Sequence, residues 1–264
     1  MTAMASRLRS LVGPLAFAAV HLLERANPLR RRVEGRAPHV ARNLAIAAGA
    51  ALVARGLERP VVDWIQRIGQ RRRWGLVRRL GLPPWAATAL SLALLDWTLY
   101  LWHVSTHRVP ALWRFHRVHH ADLDLDASTA LRFHPGELLL AVPFRAIQVV
   151  ALGVAARPLI LWETLVLVFI LFHHSNLRLP SRLDRLLGIF VITPRVHGIH
   201  HSRDRAELHR NFGTLSSLWD RLHGLRVTDV AQESIHIGLP GQPDDRLGVV
   251  ESLAVPFHRE PPAR

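Results

Sequence analysis

Three groups of closely spaced histidines are the residues in this sequence best suited to chemistry. They are His103 and His107; His116, His119 and His120; and His197, His200 and His201. Residues three and four apart share one face of an α-helix, so each group directs its imidazoles toward one point. A single pair of this kind is common on helix surfaces, but three groups, two with the same H-x-x-H-H spacing, indicate a metal site. Eight imidazole nitrogens exceed one tetrahedral zinc site and predict two metal ions, each with an open position.

Two further polar residues lie on the same helical stripe as the first histidine group. Asp96 and Tyr100 precede His103 and His107 at positions i, i+4, i+7 and i+11. An ionisable residue inside an apolar block is costly unless it has a partner. We expect Asp96 to accept the free N–H of a metal-bound histidine and so fix its tautomer, with Tyr100 beside it. The alternative is a carboxylate at the membrane interface that pairs with an arginine.

Other histidines carry weaker signals. His134, in the sequence Arg-Phe-His-Pro, is either a ligand or a loop residue. His173 and His174 end an apolar block at the depth where the three groups should meet, so we expect at least one of them to be a ligand. His174 is preferred, and the role of His173 stays open. His209 and His223 lie near the third group but outside its spacing, and we interpret them as structural.

Composition excludes several classes of protein. The 264 residues include 34 basic residues, all arginine, against 20 acidic ones, and the net charge is +14. A hydrophobic content of 49% excludes a disordered chain. Zero cysteines exclude a disulfide scaffold, a thiolate metal site and a cysteine-ligated iron–sulfur cluster, which leaves histidine as the abundant metal-binding type.

The apolar residues are concentrated in blocks that predict the elements positioning these histidines. The blocks are Leu11–Leu23, Val40–Leu57, Trp85–Trp102, Gly136–Ala156 and Pro158–Phe172. Several could span or dip into a bilayer, whose hydrocarbon core is about 30 Å thick. The pattern therefore predicts an all-α fold: an integral-membrane helical bundle with a cytosolic helical cap that carries the dimetal site. Buried core helices of a soluble protein are the alternative. We expect Leu11–Leu23 to be an uncleaved membrane or interfacial helix, because no signal-peptide cleavage site is evident.

The distribution of arginine bears on partners and orientation. The arginines flank apolar blocks and no nucleic-acid-binding motif is present, so we expect no nucleic-acid partner. The last two blocks supply two crossings and return the chain to the side that holds His120. Arginine enrichment on that side predicts a metal site on the cytoplasmic face, in a bacterial inner membrane. The connector Glu58–Pro84 disagrees, because its seven arginines lie on the opposite side if Trp85–Trp102 crosses fully.

These motifs resemble the fatty acid hydroxylase / sterol desaturase superfamily of membrane-bound, histidine-rich di-iron oxygenases. The matching elements are Asp96…Tyr100…His103-x3-His107, Leu112-Trp-Arg-Phe-His116-x2-His119-His120, Arg132-Phe-His134-Pro, His174-Ser-Asn, Thr193-Pro-Arg…His197-x2-His200-His201, Asn211-Phe-Gly and Leu218-Trp-Asp-Arg. The resemblance covers Trp85 to about Gly224. Two departures, Val104 after the first histidine and the sequence His223-Gly-Leu after the Trp-Asp element, leave the subgroup open. Accordingly we divide the chain into N-terminal membrane or interfacial helices (1–84), a catalytic core (85–225) and a cytosolic tail (226–264).

The resemblance implies an O2-dependent enzyme that hydroxylates or desaturates a lipid C–H bond with two iron ions, although imidazole ligands also suit zinc. The metal ligands it implies are His103, His107, His116, His119, His120, His134, His174, His197, His200 and His201. Because the chain has neither a dinucleotide-binding glycine motif nor a cysteine, electrons must come from an external donor, cytochrome b5-like or a ferredoxin with its reductase. Two alternatives remain: a zinc-bound membrane hydrolase or lyase using the same histidines, and a non-catalytic protein that binds anionic lipid.

Overall fold

The computed structural model describes residues 3–242 and 246–258. In this part of the chain the secondary structure is helical, without a β-strand, which confirms the all-α prediction. The α-helices are α1 (Ala3–Ala26), α2 (Arg36–Val53), α3 (Arg59–Arg71), α4 (Leu76–Arg79), α5 (Pro84–Arg108), α6 (Pro110–His120), α7 (Pro135–Leu152), α8 (Ala156–His174), α9 (Ser181–Leu187), α10 (Pro194–His200), α11 (Arg205–Leu208), α12 (Leu218–Leu222) and α13 (Val249–Ala254). A π-helical turn, Ala54–Glu58, joins α2 to α3. Of the predicted tail, residues 243–245 and 259–264 lie outside the described residues.

Proline begins four of the helices around the histidines. Pro84, Pro110, Pro135 and Pro194 occupy the first turns of α5, α6, α7 and α10. Proline lacks the N–H that a first helical turn leaves unbonded, and its fixed φ suits the helix start. The sequence therefore determines the residue at which each helix begins, and with it the face on which the histidines lie.

Five long helical segments pack lengthwise as a bundle. Gly49 lies against Pro135 and Gly69 against Val150, so α2–α3 runs parallel to α7. Gln148 of α7 hydrogen-bonds the Leu95 carbonyl of α5, and the rings of Trp102 and Phe144 stack at 4.7 Å, so α5 runs antiparallel to α7. The segments α1 and α8 run parallel to each other, with Gly13 against Leu167. We call the end where α5 and α8 finish the histidine end.

Three stretches of the described chain are long and apolar enough to cross a membrane. They are Arg36–Arg79, Pro135–Leu152 and Ala156–His174. The predicted blocks Val40–Leu57, Gly136–Ala156 and Pro158–Phe172 correspond to these stretches. Two further predicted blocks, Leu11–Leu23 and Trp85–Trp102, form parts of α1 and α5. These two helices are not among the described stretches that are both long and apolar enough to cross a membrane.

The turn between α7 and α8 defines the opposite, hairpin end of the bundle. Gly153 caps α7 with φ +68°, and a Cβ there would lie 2.7 Å from the Trp74 carbonyl oxygen. Gly75, with φ +100°, packs against it so closely that neither position accommodates a side chain. Arg78 also donates to the Val154 carbonyl. The arginine-rich connector therefore reaches the hairpin end at residues 69–78, away from the histidines, whereas its first residue, Glu58, lies beside Arg145 in the middle of α7.

A buried polar network fastens the N-terminal helices to the loop after α6. His39 of α2 lies with Nε2 2.9 Å from the Asp122 carboxylate and Nδ1 3.0 Å from Asp126. Asn43 bonds Asp122 and accepts a hydrogen bond from Arg132. Burial alone would raise the pKa of Asp122, but the charges of His39 and Arg132 hold that pKa well below its ordinary value. The network positions the loop that directly follows the His116–His120 segment.

Candidate metal centre

Four helices bring nine histidines together at the histidine end of the bundle. The first group consists of His103 and His107 of α5, His116 and His120 of α6, and His200 of α10; the second consists of His119 of α6, His174 at the end of α8, His197 of α10 and the following His201. Within each group, one nitrogen per ring lies within 4.8 Å of the others. The groups adjoin, because the rings of His120 and His201 stack with their centroids 4.3 Å apart.

Hydrogen bonds to backbone carbonyls fix tautomers in the first group. Nδ1 of His103 lies 2.8 Å from the Phe212 carbonyl oxygen, and Nδ1 of His200 lies 2.8 Å from that of Arg210. A carbonyl only accepts, so each Nδ1 donates and each Nε2 is left with a lone pair in the neutral ring. These two Nε2 atoms face each other at 3.1 Å. Two lone pairs at that distance repel unless a cation lies beside both.

The second group has the same arrangement around His174. Its Nδ1 donates to the Ile170 carbonyl at 2.7 Å, so its Nε2 carries a lone pair. That atom lies 3.0 Å from Nε2 of His119 and 3.0 Å from Nε2 of His197. Nε2 of His201 lies 3.2 Å from Nε2 of His197. Four imidazole nitrogens thus converge on one small volume.

Burial keeps the cluster in the state that binds metal. Burial, together with the neighbouring imidazoles, lowers the pKa of His119, His120, His197, His200 and His201 well below 6.5. These rings are therefore neutral at physiological pH, which is the protonation state that a metal ligand requires.

The donor set fits two metal ions. In the described structure, Nε2 of His116 and both ring nitrogens of His107 and His120 are buried without a hydrogen-bond partner. Leaving a buried polar nitrogen unsatisfied costs about 1–3 kcal/mol. Five such nitrogens would therefore destabilise the fold strongly unless a bound ligand, such as a metal ion, satisfies them. Five and four nitrogens suit two ions that prefer imidazole, such as iron or zinc. The eight histidines of the three sequence groups and His174 lie in these clusters.

His134 lies outside both histidine groups. Its side chain caps α7: Nδ1 accepts from the Gly136 N–H at 2.8 Å, and Nε2 lies 3.3 Å from the Leu253 carbonyl. The ring packs against Phe115 and Phe257. Both nitrogens are engaged, and we therefore leave His134 out of the proposed ligand set.

Asp96 has a different partner from the predicted histidine. Its carboxylate accepts the Trp219 indole N–H at 2.7 Å and the backbone N–H groups of Leu215 and Ser216 at 3.3 and 3.2 Å. Asp96 thus holds the Asn211–Ser217 loop onto α5, and that loop supplies the Phe212 carbonyl to His103. Tyr100 is buried with its ring edge against Phe212, and its hydroxyl has no hydrogen-bond partner in the described chain. Their influence on the cluster is indirect.

The remaining candidate histidines lie at its periphery. His173 is buried with its ring 4.1 Å from that of His197, but it belongs to neither group. His209 lies 5.9 Å from the His107 ring, outside both groups. His223 packs against Tyr100 and lies within hydrogen-bonding distance of the Trp219 carbonyl, 2.9 Å from its Nδ1.

Glu137 is a residue that sequence reasoning missed. It lies in the first turn of α7 and accepts a hydrogen bond from Nδ1 of the His116 ring at 2.8 Å, with both side chains buried. The available signal was an acidic residue at the very start of an apolar block, directly after a histidine motif. Carboxylates that hold a ligand histidine in this way are typical of metal sites.

An apolar cavity of about 360 Å³ leads to both histidine groups from within the bundle. Its walls include Leu99, Phe144, Val166 and Ile170, and its inner end includes His116 and His174. The other end is charged: Arg145 lies 3.5 Å from Glu58, 3.3 Å from Glu163 and over the Trp162 ring. The cavity therefore offers an apolar path bounded by the histidine groups at one end and an ion-pair cluster at the other.

Comparisons with known proteins agree with this architecture. The fatty acid hydroxylase family model matches residues 88–225, more than half of the chain. The chain therefore belongs to the fatty acid hydroxylase family, as the sequence motifs predicted. With its three apolar helices, it is an integral membrane protein.

Similar curated proteins act on lipids. An ornithine lipid hydroxylase of Rhizobium tropici is 33% identical over 172 residues, covering 65% of this chain and 50% of the relative. Human alkylglycerol monooxygenase is 25% identical over 188 residues, covering 70% and 40%. A cholesterol 25-hydroxylase-like protein of Danio rerio is 30% identical over 139 residues, covering 52% and 53%. The chain spans about half the length of the curated relatives it matches. No solved structure matches.

Proposed function

We propose that this protein is an O2-dependent di-iron oxygenase that hydroxylates or desaturates a C–H bond of a membrane lipid. The proposed ligands are His103, His107, His116, His120 and His200 for one iron and His119, His174, His197 and His201 for the other. When bound, the two ions supply the O2 activation that an unactivated C–H bond requires. We assign this chemistry to residues 85–225, with residues 1–84 and 226–264 as supporting segments.

The observation that carries the proposal is the apolar cavity that reaches both histidine groups. Leu99, Phe144, Val166 and Ile170 line an apolar space that suits an alkyl chain. The alkyl chain of a lipid would enter between α5, α7 and α8. The outer faces of these helices are apolar, so the lipid would reach the site from the membrane. A zinc hydrolase would need access for water and a polar scissile group at the same place.

Residues around the cluster orient the ligands. Glu137, the Phe212 carbonyl and the Arg210 carbonyl each take the outer N–H of one histidine, which fixes the nitrogen that faces the metal. Gly136 of α7 packs against Phe115, with so little room that a Cβ would lie 2.6 Å from the ring. This contact holds α6 and α7 together and keeps Glu137 beside His116.

The names of the similar proteins suggest the substrate class, and the need for reducing electrons implies an external donor. The relatives' names point to ornithine lipids, alkylglycerols and sterols. We propose an acyl-chain lipid, with ornithine lipid as the first substrate to test. Electrons come from an external donor, cytochrome b5-like or a ferredoxin with its reductase.

The test is purification of the chain in nanodiscs with metal analysis and product analysis under 18O2. The expected result is about two irons per chain and a lipid product that forms only with O2 and a reductant. Incorporation of 18O would indicate hydroxylation, and loss of two hydrogens without 18O would indicate desaturation. Ala141→Trp, which fills the cavity, should abolish turnover while retaining the metal, whereas Ala254→Trp in α13 serves as a control. Two zinc ions, no iron and no O2 uptake would contradict the proposal.

We also propose that the histidine end faces the cytoplasm. The absence of cysteine makes single-cysteine labelling a clean test of this orientation. Gln70→Cys, exposed at the hairpin end, should react with an impermeant maleimide in intact cells. Ser234→Cys, exposed at the histidine end, should react only after permeabilisation. The reverse pattern would place the metal centre outside.

A further inference from the structure

His107 lacks a hydrogen bond that four other histidines of the centre make, and of the nine clustered histidines it is the one that lines a cleft on the solvent side. The outer nitrogens of His103, His116, His174 and His200 each donate to a carbonyl or carboxylate oxygen. His107 is buried at 6% exposure, and neither of its nitrogens has a hydrogen-bond partner in the described chain. If one nitrogen binds metal, the other N–H needs an acceptor that the described residues do not provide.

A cleft of about 180 Å³ adjoins His107 on the solvent side. It lies between α5, α6, α11 and the Leu239–Pro240 turn, and His209 and Arg205 are exposed at its rim. This cleft is separate from the apolar cavity: His107 lines the cleft but not the cavity, and His116 lines the cavity but not the cleft. The centre is therefore approached from two sides of different character.

Positive charge surrounds the cleft. Arg205 lines the cleft, and Arg108 directly follows His107 at the end of α5. No carboxylate of the described chain forms an ion pair with either of these arginines. An oxygen acceptor that enters here would meet an N–H donor of His107 and the guanidinium of Arg205, a combination that favours an anion.

Resting on the proposed metal ligation, we propose that this cleft binds a small oxyanion or carboxylate that accepts a hydrogen bond from the outer nitrogen of His107. The bound anion completes the hydrogen bonding of the one cleft-facing ligand and thereby strengthens metal binding in the five-histidine group. A free anion and the carboxylate of a partner protein share this chemistry.

Formate is the probe, titrated calorimetrically into the full-length protein loaded with zinc and into the metal-free protein. We expect formate to bind both forms and to slow zinc loss to a chelator. Arg205→Gln should weaken formate binding about tenfold, equivalent to about 1.4 kcal/mol, while Arg182→Gln, an equal charge change on exposed α9, should leave it unchanged. His209→Trp, which fills the cleft, provides a second variant. An added peptide carboxylate that displaces bound formate would identify a partner protein as the source of the carboxylate and support the site.

Three outcomes would overturn the proposal. Formate that binds only when metal is present would be a direct metal ligand. Equal binding to Arg205→Gln and the parent protein would remove the role of the cleft, and no binding at millimolar formate would leave water as the acceptor. Lipid oxidation plays no part in these measurements, so failure of the anion site is distinguishable from failure of the oxygenase proposal.

Discussion

Nδ1 of His116 and Oε1 of Glu137 lie 2.8 Å apart, in a hydrogen bond between α6 and the first turn of α7. Both residues are buried. Because Nδ1 is used in this bond, Nε2 is the nitrogen of His116 that is free to bind a metal, and it has no hydrogen-bond partner in the described chain. Because Glu137 also lines the apolar cavity, one carboxylate connects the proposed lipid path to a proposed metal ligand.

Replacing Glu137 should weaken metal binding without unfolding the protein. Glu137→Gln keeps the size of the side chain but removes the anionic acceptor that orients His116. We expect a loss of about 10–100-fold in metal affinity or activity, as for other carboxylates that support ligand histidines. Competition with a chelator, followed by metal analysis, measures the change. Glu233→Gln, on an exposed segment, is the matched control, and equal metal affinity of both variants would contradict the role.

His134 and His174 should respond differently to alanine substitution. His174→Ala removes a nitrogen at the centre of the four-histidine group and should lose at least one metal per chain. His134→Ala should retain the full metal content and cost about 1 kcal/mol of stability, because it removes only a helix cap. Metal content and thermal unfolding measured on both variants check this, and metal loss in His134→Ala would restore it as a ligand.

Asp126 should make a pH-dependent contribution to stability. Burial alone would raise its pKa, but hydrogen bonds from His39 and Ser128 and the charge of Arg32 hold the pKa well below its ordinary value of 3.8. A depressed folded-state pKa means that the stabilisation is fully present above pH 3.8 and is lost as the pH falls toward the folded-state value. Asp126→Asn should cost about 3–5 kcal/mol near pH 7, because it removes one buried carboxylate from a network that also contains His39 and Arg32.

Denaturant unfolding of the two proteins from pH 7 to pH 3 measures that difference. It should stay constant at the higher pH values and shrink below about pH 3.8. Asp229→Asn, an exposed change of the same kind, should show no such dependence. A difference that remains constant at every pH would show that ionisation of Asp126 is not its source.

Gly198 should resist substitution because Arg30 lies against it. A Cβ at position 198 would stand 1.7 Å from Nη2 of Arg30, on the helix that carries His197 and His200. Gly198→Ala should cost about 1–3 kcal/mol through overpacking and reduce metal retention. Arg30→Ala in the same chain should recover a substantial part of both losses. Gly56→Ala, where nothing lies within 4 Å, is the control, and equal effects at the two glycines would contradict the packing explanation.

The sequence predicted the ligand-bearing helices well because helical spacing alone places His116, His119 and His120 on one turn. It could not predict how the nine rings divide into groups, since that depends on how α5, α6, α8 and α10 meet. The helical stripe of Asp96 could not indicate its hydrogen-bond partners either, because the carboxylate bonds the backbone of a loop more than a hundred residues later in the sequence. The sequence left His134 open because a histidine before proline is compatible with either a metal ligand or a helix cap.

The position of the arginine-rich connector could not be predicted from the sequence either, because it depends on a contact between distant segments. The local sequence Trp74-Gly75 does not indicate that these residues pack on Gly153. The contact forms only because α7 carries Gly153 to the hairpin end of the bundle. The connector's exposed Trp64 and Trp74 accompany its arginines, a composition typical of a membrane–water interface.

Helix α6 contributes His116 and His120 to the five-histidine group and His119 to the four-histidine group. The segment from α10 to His201 also contributes to both, with His200 in the first group and His197 and His201 in the second. In the proposed centre, the same two helical segments would hold both ions, with the ligands of one ion only one to three residues from those of the other. Loss of either ion would then loosen a helix that also holds ligands of the other ion. Metal uptake should therefore be cooperative, with chains carrying either two ions or none and few carrying one.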